Sequence, residues 1–432
     1  MVELSPDRIM AIGGGYGPSK VLLTAVGLGL FTELGDEAMT AEAIADRLGL
    51  LKRPAIDFLD ALVSLDLLAR DGDGPGSHYR NTPETAHFLD EARPTYAGGL
   101  LKIWNERNYR FWADLTEALK TGKAQSEVKQ TGRPFFEALY ADPRRLEAFM
   151  AAMDAASRRN IELLAKRFPF ERYRRLCDVG CADGLLSRIV AAAHPHLQCV
   201  SFDLPAVTEI ARRKLTAEGL GERVQACAGD FLADPLPAAD VITMGQILHD
   251  WNLDRKQQLV AKAYEALSKE GAFIVIETLI DDARRENTTG LMMSLNMLIE
   301  FGDAFDYSAA DFRGCAAPRR AHPRPGNQGR FGHVASDSPG CRMPSRSRWR
   351  AVQSRRQPVT SWGIRMGSPS GSRGDFWPPA LVAYCPPAVA PGACTIEVWR
   401  EQTQNRTKSA ILMRFCVCSR RDRRDHPGRL AV

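Results

Sequence analysis

The stretch Leu176-Cys-Asp-Val-Gly-Cys-Ala-Asp-Gly184, followed by Leu185-Leu-Ser-Arg-Ile-Val-Ala-Ala-Ala-His194, decides the fold. A short apolar run enters a turn of small residues and leaves it as a second apolar run, the pattern of a buried strand, a tight turn and a helix. Gly180 and Gly184 permit a sharp turn and a close approach of backbone to a ligand, with Ala182 the next smallest choice between them. A second strand, Gln198-Cys-Val-Ser-Phe-Asp203, ends in a carboxylate about 20 residues after the turn, where a first parallel βαβ unit places an acid for ribose hydroxyls. A plain β-turn needs the glycines but not the acid, so the pair predicts a nucleoside-binding crevice. Pyrophosphate fits it poorly: the turn lacks G-x-G-x-x-G, and Asp178 and Asp183 put two carboxylates where phosphate would sit. That charge suits a cation.

Outward from this unit, strands and helices alternate from 174 to 280 in the α/β manner. Val224–Ala228 runs into Gly229-Asp230-Phe231, Asp240–Met244 into Gly245-Gln-Ile-Leu-His249-Asp250-Trp251, and Ala272–Glu277 closes the series. Ligands in such sheets lie over the carboxyl ends of the strands. Asp178, Asp203, Asp230, His249 and Glu277 all fall at or just beyond such ends. Imidazole accepts a proton near neutral pH, whereas a phenol releases one only near pH 10, so His249 is the expected general base toward a hydroxyl. A hydrogen-bonded loop histidine is the plainer alternative. Glu277 is expected to orient the ring through its other nitrogen.

Upstream, residues 1–93 read as helix, turn, helix and hairpin, a winged-helix layout. Thr40 is a candidate N-cap and Gly49 a stop for one helix. Arg53–Leu68 forms the next, with Ile56, Leu59, Leu62, Val63 and Leu67 on one face. As a DNA-reading helix it is unsuitable, because it carries Asp57, Asp60 and Asp66 and almost no basic residue beyond its first turn. Dimerisation is the expected role, with no nucleic-acid partner. Residues 94–172 form a helical connector in which Phe149 and Met153, spaced i and i+4, share a face. They are either core packing or a sandwich for a planar aromatic substrate.

The 432 residues suffice for two or three domains, and 44% hydrophobic with 25% charged residues is ordinary for a globular protein. Val21–Phe31 is too short to span a bilayer and no basic-then-apolar segment precedes it, so a cytoplasmic, membrane-free protein is expected. The net charge of +5 hides a split. Residues 314–432 hold 21 of the 57 basic and six of the 52 acidic residues, which leaves the first 313 near −10 and the remainder near +15. Cys177, Cys181, Cys199 and Cys227 look like buried small hydrophobes, and Cys416 and Cys418 are too close for zinc pairing, so no metal is expected.

Asp178-Val-Gly180, with Ala182 where a middle glycine is usual, resembles motif I of class I S-adenosylmethionine-dependent methyltransferases. With Phe202-Asp-Leu-Pro205, Gly229-Asp-Phe231, Leu248-His-Asp-Trp251 and the Glu277 strand, residues from about 10 to 313 resemble the O-methyltransferases related to caffeic acid and hydroxyindole O-methyltransferases, including bacterial enzymes acting on aromatic polyketides. The resemblance implies an α/β fold: a Rossmann-like methyltransferase domain (173–313) preceded by a mostly helical winged-helix-like dimerisation domain (1–93). A connector (94–172) would line the acceptor pocket. It implies S-adenosyl-L-methionine as cofactor, a small aromatic hydroxyl as substrate and a homodimer. Asp178, Gly180, Gly184, Asp203, Leu204, Asp230, Phe231 and Ser157 would hold the cofactor. His249 would be the base, flanked by Glu277 and Asp306. Phe149, Met153, Met293, Asn296 and Met297 would line the acceptor pocket. Related folds also host hydroxylation or decarboxylation, which stands as a second enzymatic reading.

After Arg313 periodicity disappears, and Lys408 is the single lysine against 20 arginines. The family would continue with a helix and two strands that complete the sheet. The sequence from 314 to 432 is expected instead to be an out-of-frame, disordered tail that leaves one sheet edge bare.

Overall fold

In this computed structural model the described residues are 4–74, 76–133, 135–316, 381–384, 395–400 and 412–417. Strands β1 (Met39–Thr40), β2 (Leu68–Asp71) and β3 (His78–Asn81) form a small antiparallel sheet in the order β1-β3-β2. It packs with helices Ala41–Leu48 and Lys52–Ser64 around Phe31, Leu34, Ile44, Leu59, Leu62 and Tyr79. Thr40 accepts the N–H of Ala43 at 3.3 Å and Gly49 closes that helix at φ +65°, as its sequence dictates. The second helix stops at Ser64 rather than Leu68, because Asp66 turns left-handed (φ +58°) and delivers Leu68 into β2. Arg53 is tied to Asp57 at 2.6 Å and Arg70 to Asp60 at 2.6 Å, so both are already engaged by carboxylates.

The large sheet runs β11-β10-β9-β8-β7-β4-β5-β6. Its parallel core is β4 (Arg175–Val179), β5 (Gln198–Asp203), β6 (Val224–Ala228), β7 (Ala239–Gly245) and β8 (Leu267–Glu277). Apolar clusters cover both faces, one built on Leu176, Val190 and Ile274, the other on Val179, Ile242 and Leu259. Burial on both faces is why the central strands read as continuous apolar runs. Between the two units, the 25-residue helix Pro143–Arg167 is capped by Asp142 and packs along Leu185–Ala193.

Beyond β8 the sheet continues in β9 (Leu381–Tyr384), β10 (Thr395–Arg400) and β11 (Leu412–Val417). β9 and β11 pair antiparallel with β8, through Ile276↔Val382 and Phe273↔Cys416. The edge of β8 that the sequence reading left bare is therefore hydrogen-bonded. The rest of the expected disordered tail lies outside the described residues. Among the described residues no helix is long and apolar enough to cross a membrane.

Candidate active site

The turn after β4 holds three consecutive alternate residues in the left-handed region, Gly180 (φ +70°), Ala182 (φ +51°) and Gly184 (φ +82°). A Cβ on Gly180 would meet Ile247 Cδ1 at 2.2 Å, so glycine lets Ile247, on the turn that carries His249, pack directly against this backbone. Ala182 carries a side chain where glycine is relaxed, at a cost of about 1–2 kcal/mol. Its geometry is secured by Asp203 at the end of β5, which accepts the N–H groups of Ala182 (3.0 Å) and Leu204 (2.7 Å). Burial pushes the Asp203 carboxyl up to about 6 against those two donors. Asp178, beneath the turn, accepts the Thr243 hydroxyl at 2.7 Å and is pushed up to about 7, chiefly by burial.

Asp183 differs from its expected role. It is fully buried and turned away from the crevice, accepting Arg188 at 3.0 Å, the Leu185 N–H at 3.0 Å and the Lys214 ammonium. Burial opposes its charge, but Asp154, Lys214 and Arg188 outweigh that and hold it below the usual carboxylate range. Of these aspartates, Asp178 and Asp203 are the ones held above their ordinary values, chiefly by burial. Two such carboxylates beside a glycine turn fit a cationic nucleoside, the cofactor class that the resemblance implies.

His249 lies in a short 3-10 helix, Leu248–Asp250, just past β7. Glu277 builds that turn rather than orienting the ring: its Oε1 accepts the N–H groups of Ile247 (3.1 Å), Leu248 (2.6 Å) and His249 (3.1 Å), and its Oε2 accepts the Tyr307 hydroxyl. The ring itself lies between two other acids, with Nδ1 3.5 Å from Asp306 and Nε2 3.4 Å from Asp250. These are ion-pair separations, longer than good hydrogen bonds, and Nδ1 and both Asp306 oxygens lack a hydrogen-bond partner among the described residues. Burial alone would lower the imidazole, but Asp250, Asp306 and Glu277 outweigh it and raise it to about 10. Buried Asp250 is itself pushed up to about 7.

The remaining sequence-predicted residues fall on two helices and one loop. Phe149 packs edge-on to Phe135 (5.5 Å) in an apolar cluster that also includes Ala182 and Leu204, which joins the helix Pro143–Arg167 to the turn after β4. Met153 and Ser157 follow, half-buried, on the same helix. Met293, Asn296 and Met297 share a face of Thr288–Phe301, a helix that packs against the His249 turn and whose Ser294 hydroxyl accepts the Asp306 N–H at 3.2 Å. Asp230 turns its carboxylate onto the Leu232 N–H at 2.8 Å, and Phe231 lies edge-on to Trp251 at 6.2 Å.

Sequence reasoning missed Asp250, Thr243 and Tyr140. Tyr140 stacks on Phe136 (6.0 Å), which stacks on Phe301 (5.8 Å). Burial, then the charges of Asp203, Asp250 and Asp230, hold its phenol well above the ordinary value, so it borders the crevice from the connector side. Its spacing of four from Phe136 was the only signal.

An O-methyltransferase domain model matches residues 112–317, and an O-methyltransferase dimerisation domain model matches residues 10–91. The chain is 39% identical over 298 residues to the N,N-dimethyltransferase OxyT of Streptomyces rimosus, covering 69% of this chain and 85% of the relative. It is 37% identical over 306 residues to the tetracenomycin polyketide synthesis 8-O-methyl transferase TcmO of Streptomyces glaucescens, covering 71% and 88%. Among solved structures it is similar to human N-acetylserotonin methyltransferase in complex with SAM, at 27% identity and a TM-score of 0.67 over 73% of this chain and 92% of that one.

Proposed function

Since this chain belongs to the O-methyltransferase family, we propose that it methylates a hydroxyl on a small aromatic, polyketide-like acceptor, with His249 as the base. It is an S-adenosylmethionine-dependent enzyme with a Rossmann-like catalytic domain. The observation that carries the proposal is the imidazole held between Asp306 and Asp250 on the turn beside the glycine cradle. Bound S-adenosylmethionine supplies an activated methyl group. Asp203 would take the ribose, Asp230 and Phe231 would lie by the adenine, and Gly180, Gly184, Leu204, Asp178 and Ser157 would complete that side. Phe149, Met153, Met293, Asn296 and Met297 would hold the aromatic acceptor so that its hydroxyl meets His249, which makes proximity a large part of the rate. His249 accepts the hydroxyl proton, and Asp306 and Asp250 stabilise the imidazolium that results.

The decisive assay incubates the full chain with S-adenosylmethionine and a panel of hydroxylated naphthalenes and anthraquinones, reading S-adenosylhomocysteine release. Methylation of at least one phenol is expected. Binding of S-adenosylhomocysteine without turnover of any hydroxyl would refute the acceptor class. Because OxyT is named an N,N-dimethyltransferase, aromatic amines belong in the panel as the second reading.

The pH dependence has a defined sign. The neutral imidazole is the active form, so kcat/KM rises with pH as His249 loses its proton, and the free enzyme's limb lies well above pH 7. Asp306→Asn removes one of the charges that raise His249, so the limb moves to lower pH by roughly one unit. A limb that stays in place, or moves up, removes Asp306 from the base.

We place the dimer contact on residues 1–93, with 94–172 as connector and 173–313 as the catalytic unit. Helix Asp7–Gly13 buries none of its residues, and Ile9 and Ile12 are each 72% exposed. An apolar helix left in water favours a covering partner, here a second copy of the chain. Ile9→Asp with Ile12→Asp should halve the mass seen by light scattering. An unchanged mass would move the contact elsewhere.

A further inference from the structure

A cation is buried where the turn of His249 meets the segment that carries Asp306. Lys256 stands in the first turn of helix Leu253–Ala266 and is only 2% exposed. Lysine is seldom fully buried, and the start of a helix disfavours positive charge, so helix formation does not explain this residue. The helix is begun by Asn252, whose side chain accepts the N–H of Arg255 at 3.1 Å. The Lys256 ammonium donates to the carbonyl of Trp251, two residues beyond His249. It also lies 3.8 Å from the centre of the Phe305 ring and 5.6 Å from that of the Tyr307 ring.

Asp306 stands between those two rings in the chain, and its carboxylate is 3.5 Å from Nδ1 of His249. Both residues that flank the acid therefore turn a ring to an ammonium that is itself bonded to the turn of the base. Attraction between an ammonium and a ring face is strongest where water is excluded, as it is here. The same junction is tied by the Tyr307 hydroxyl to Glu277 and by Asn252 Nδ2 to Asp303 at 2.7 Å. We propose that Lys256 is a positioning residue whose ammonium clasps the Phe305–Tyr307 segment to the His249 turn and so sets the approach of Asp306 to the imidazole. The inference rests on His249 as the base and adds the group that holds one of its partner acids in place. The charges that face the ring are Asp250, Asp306 and Glu277, and Lys256 acts on it through the second of these.

The test reads the ring itself. The full chain, made with isotope-labelled histidine, is titrated by NMR, and the His249 resonance is the one missing from His249→Gln. In wild type it should titrate well above pH 7. Lys256→Met keeps the unbranched shape and deletes the charge, an exchange that buried sites often tolerate without loss of stability. Deleting a nearby positive charge would by itself raise the imidazole, whereas withdrawal of Asp306 lowers it. The expected result is a fall of roughly half a unit, with the melting temperature held. Phe305→Leu leaves the lysine in place and should move the ring the same way. In an Asp306→Asn background neither change should lower the ring further, because both act through that carboxylate. A rise or no change in Lys256→Met, an unmoved ring in Phe305→Leu, or a fall that persists beside Asp306→Asn overturns the proposal. No acceptor is present in these titrations, so a failed methylation panel bears on the reaction and not on this contact.

Discussion

Replacing His249 with alanine is expected to lower kcat by roughly 10²–10⁴-fold, the range for a lost general base, while S-adenosylmethionine still binds. The two halves of that result have separate causes. The proposed cofactor side is the turn after β4 with Asp203, whose carboxylate is engaged by Ala182 and Leu204 rather than by the imidazole. The acceptor hydroxyl, in contrast, needs a partner for its proton, and the ring is 5% exposed with carboxylates on both sides. His249→Gln keeps bulk and a hydrogen-bonding end but not basicity, so it separates lost packing from lost proton transfer. Single-turnover rates give kcat and calorimetry gives cofactor affinity. Wild-type turnover in the alanine variant would remove the base from the mechanism.

Glu277→Ala should lose as much activity for a different reason. Its carboxylate, 1% exposed at the end of β8, receives three successive backbone N–H groups and the Tyr307 hydroxyl. Alanine strands those donors in the interior, which costs on the order of 3–5 kcal/mol as for other buried charged partners. The turn that presents His249 then loses its anchor. Glu277→Gln keeps an acceptor oxygen for the N–H groups, so it should recover most of the thermal stability and much of kcat. If Glu277 instead acted on the ring, glutamine would depress kcat as strongly as alanine with little change in melting temperature. Calorimetric scans beside the kinetics distinguish the two.

The sequence reading and the structure part ways over these acids. The crevice was legible because its signals are local: a turn that only small residues can make, and an acid at a fixed offset on the next strand. Asp183 was misjudged as crevice charge because its partners Arg188 and Lys214 lie on two different helices. Glu277 was given the ring's nitrogen because strand ends converge in such sheets, yet convergence does not say which way a carboxylate points. Asp250, quoted beside His249 in the motif, was given no role of its own although it lies 3.4 Å from the ring. The bare edge of β8 was inferred from the loss of periodicity after Arg313, whereas backbone pairing to β9 and β11 depends on main-chain groups that every residue but proline carries.

By itself, then, the order of residues determined the layers of the fold, the family and the cofactor class. Periodicity, turn chemistry and strand-end acids are properties of a few consecutive positions, and they survive without knowledge of the rest. Only the tertiary structure decided which carboxylate holds a backbone turn, which lie beside the imidazole and which is sequestered by basic side chains. Each of those arrangements is set by side-chain direction across elements apart in the chain, 65 residues for Asp178 and Thr243 and 30 for Glu277 and Tyr307, where a single rotation exchanges one partner for another.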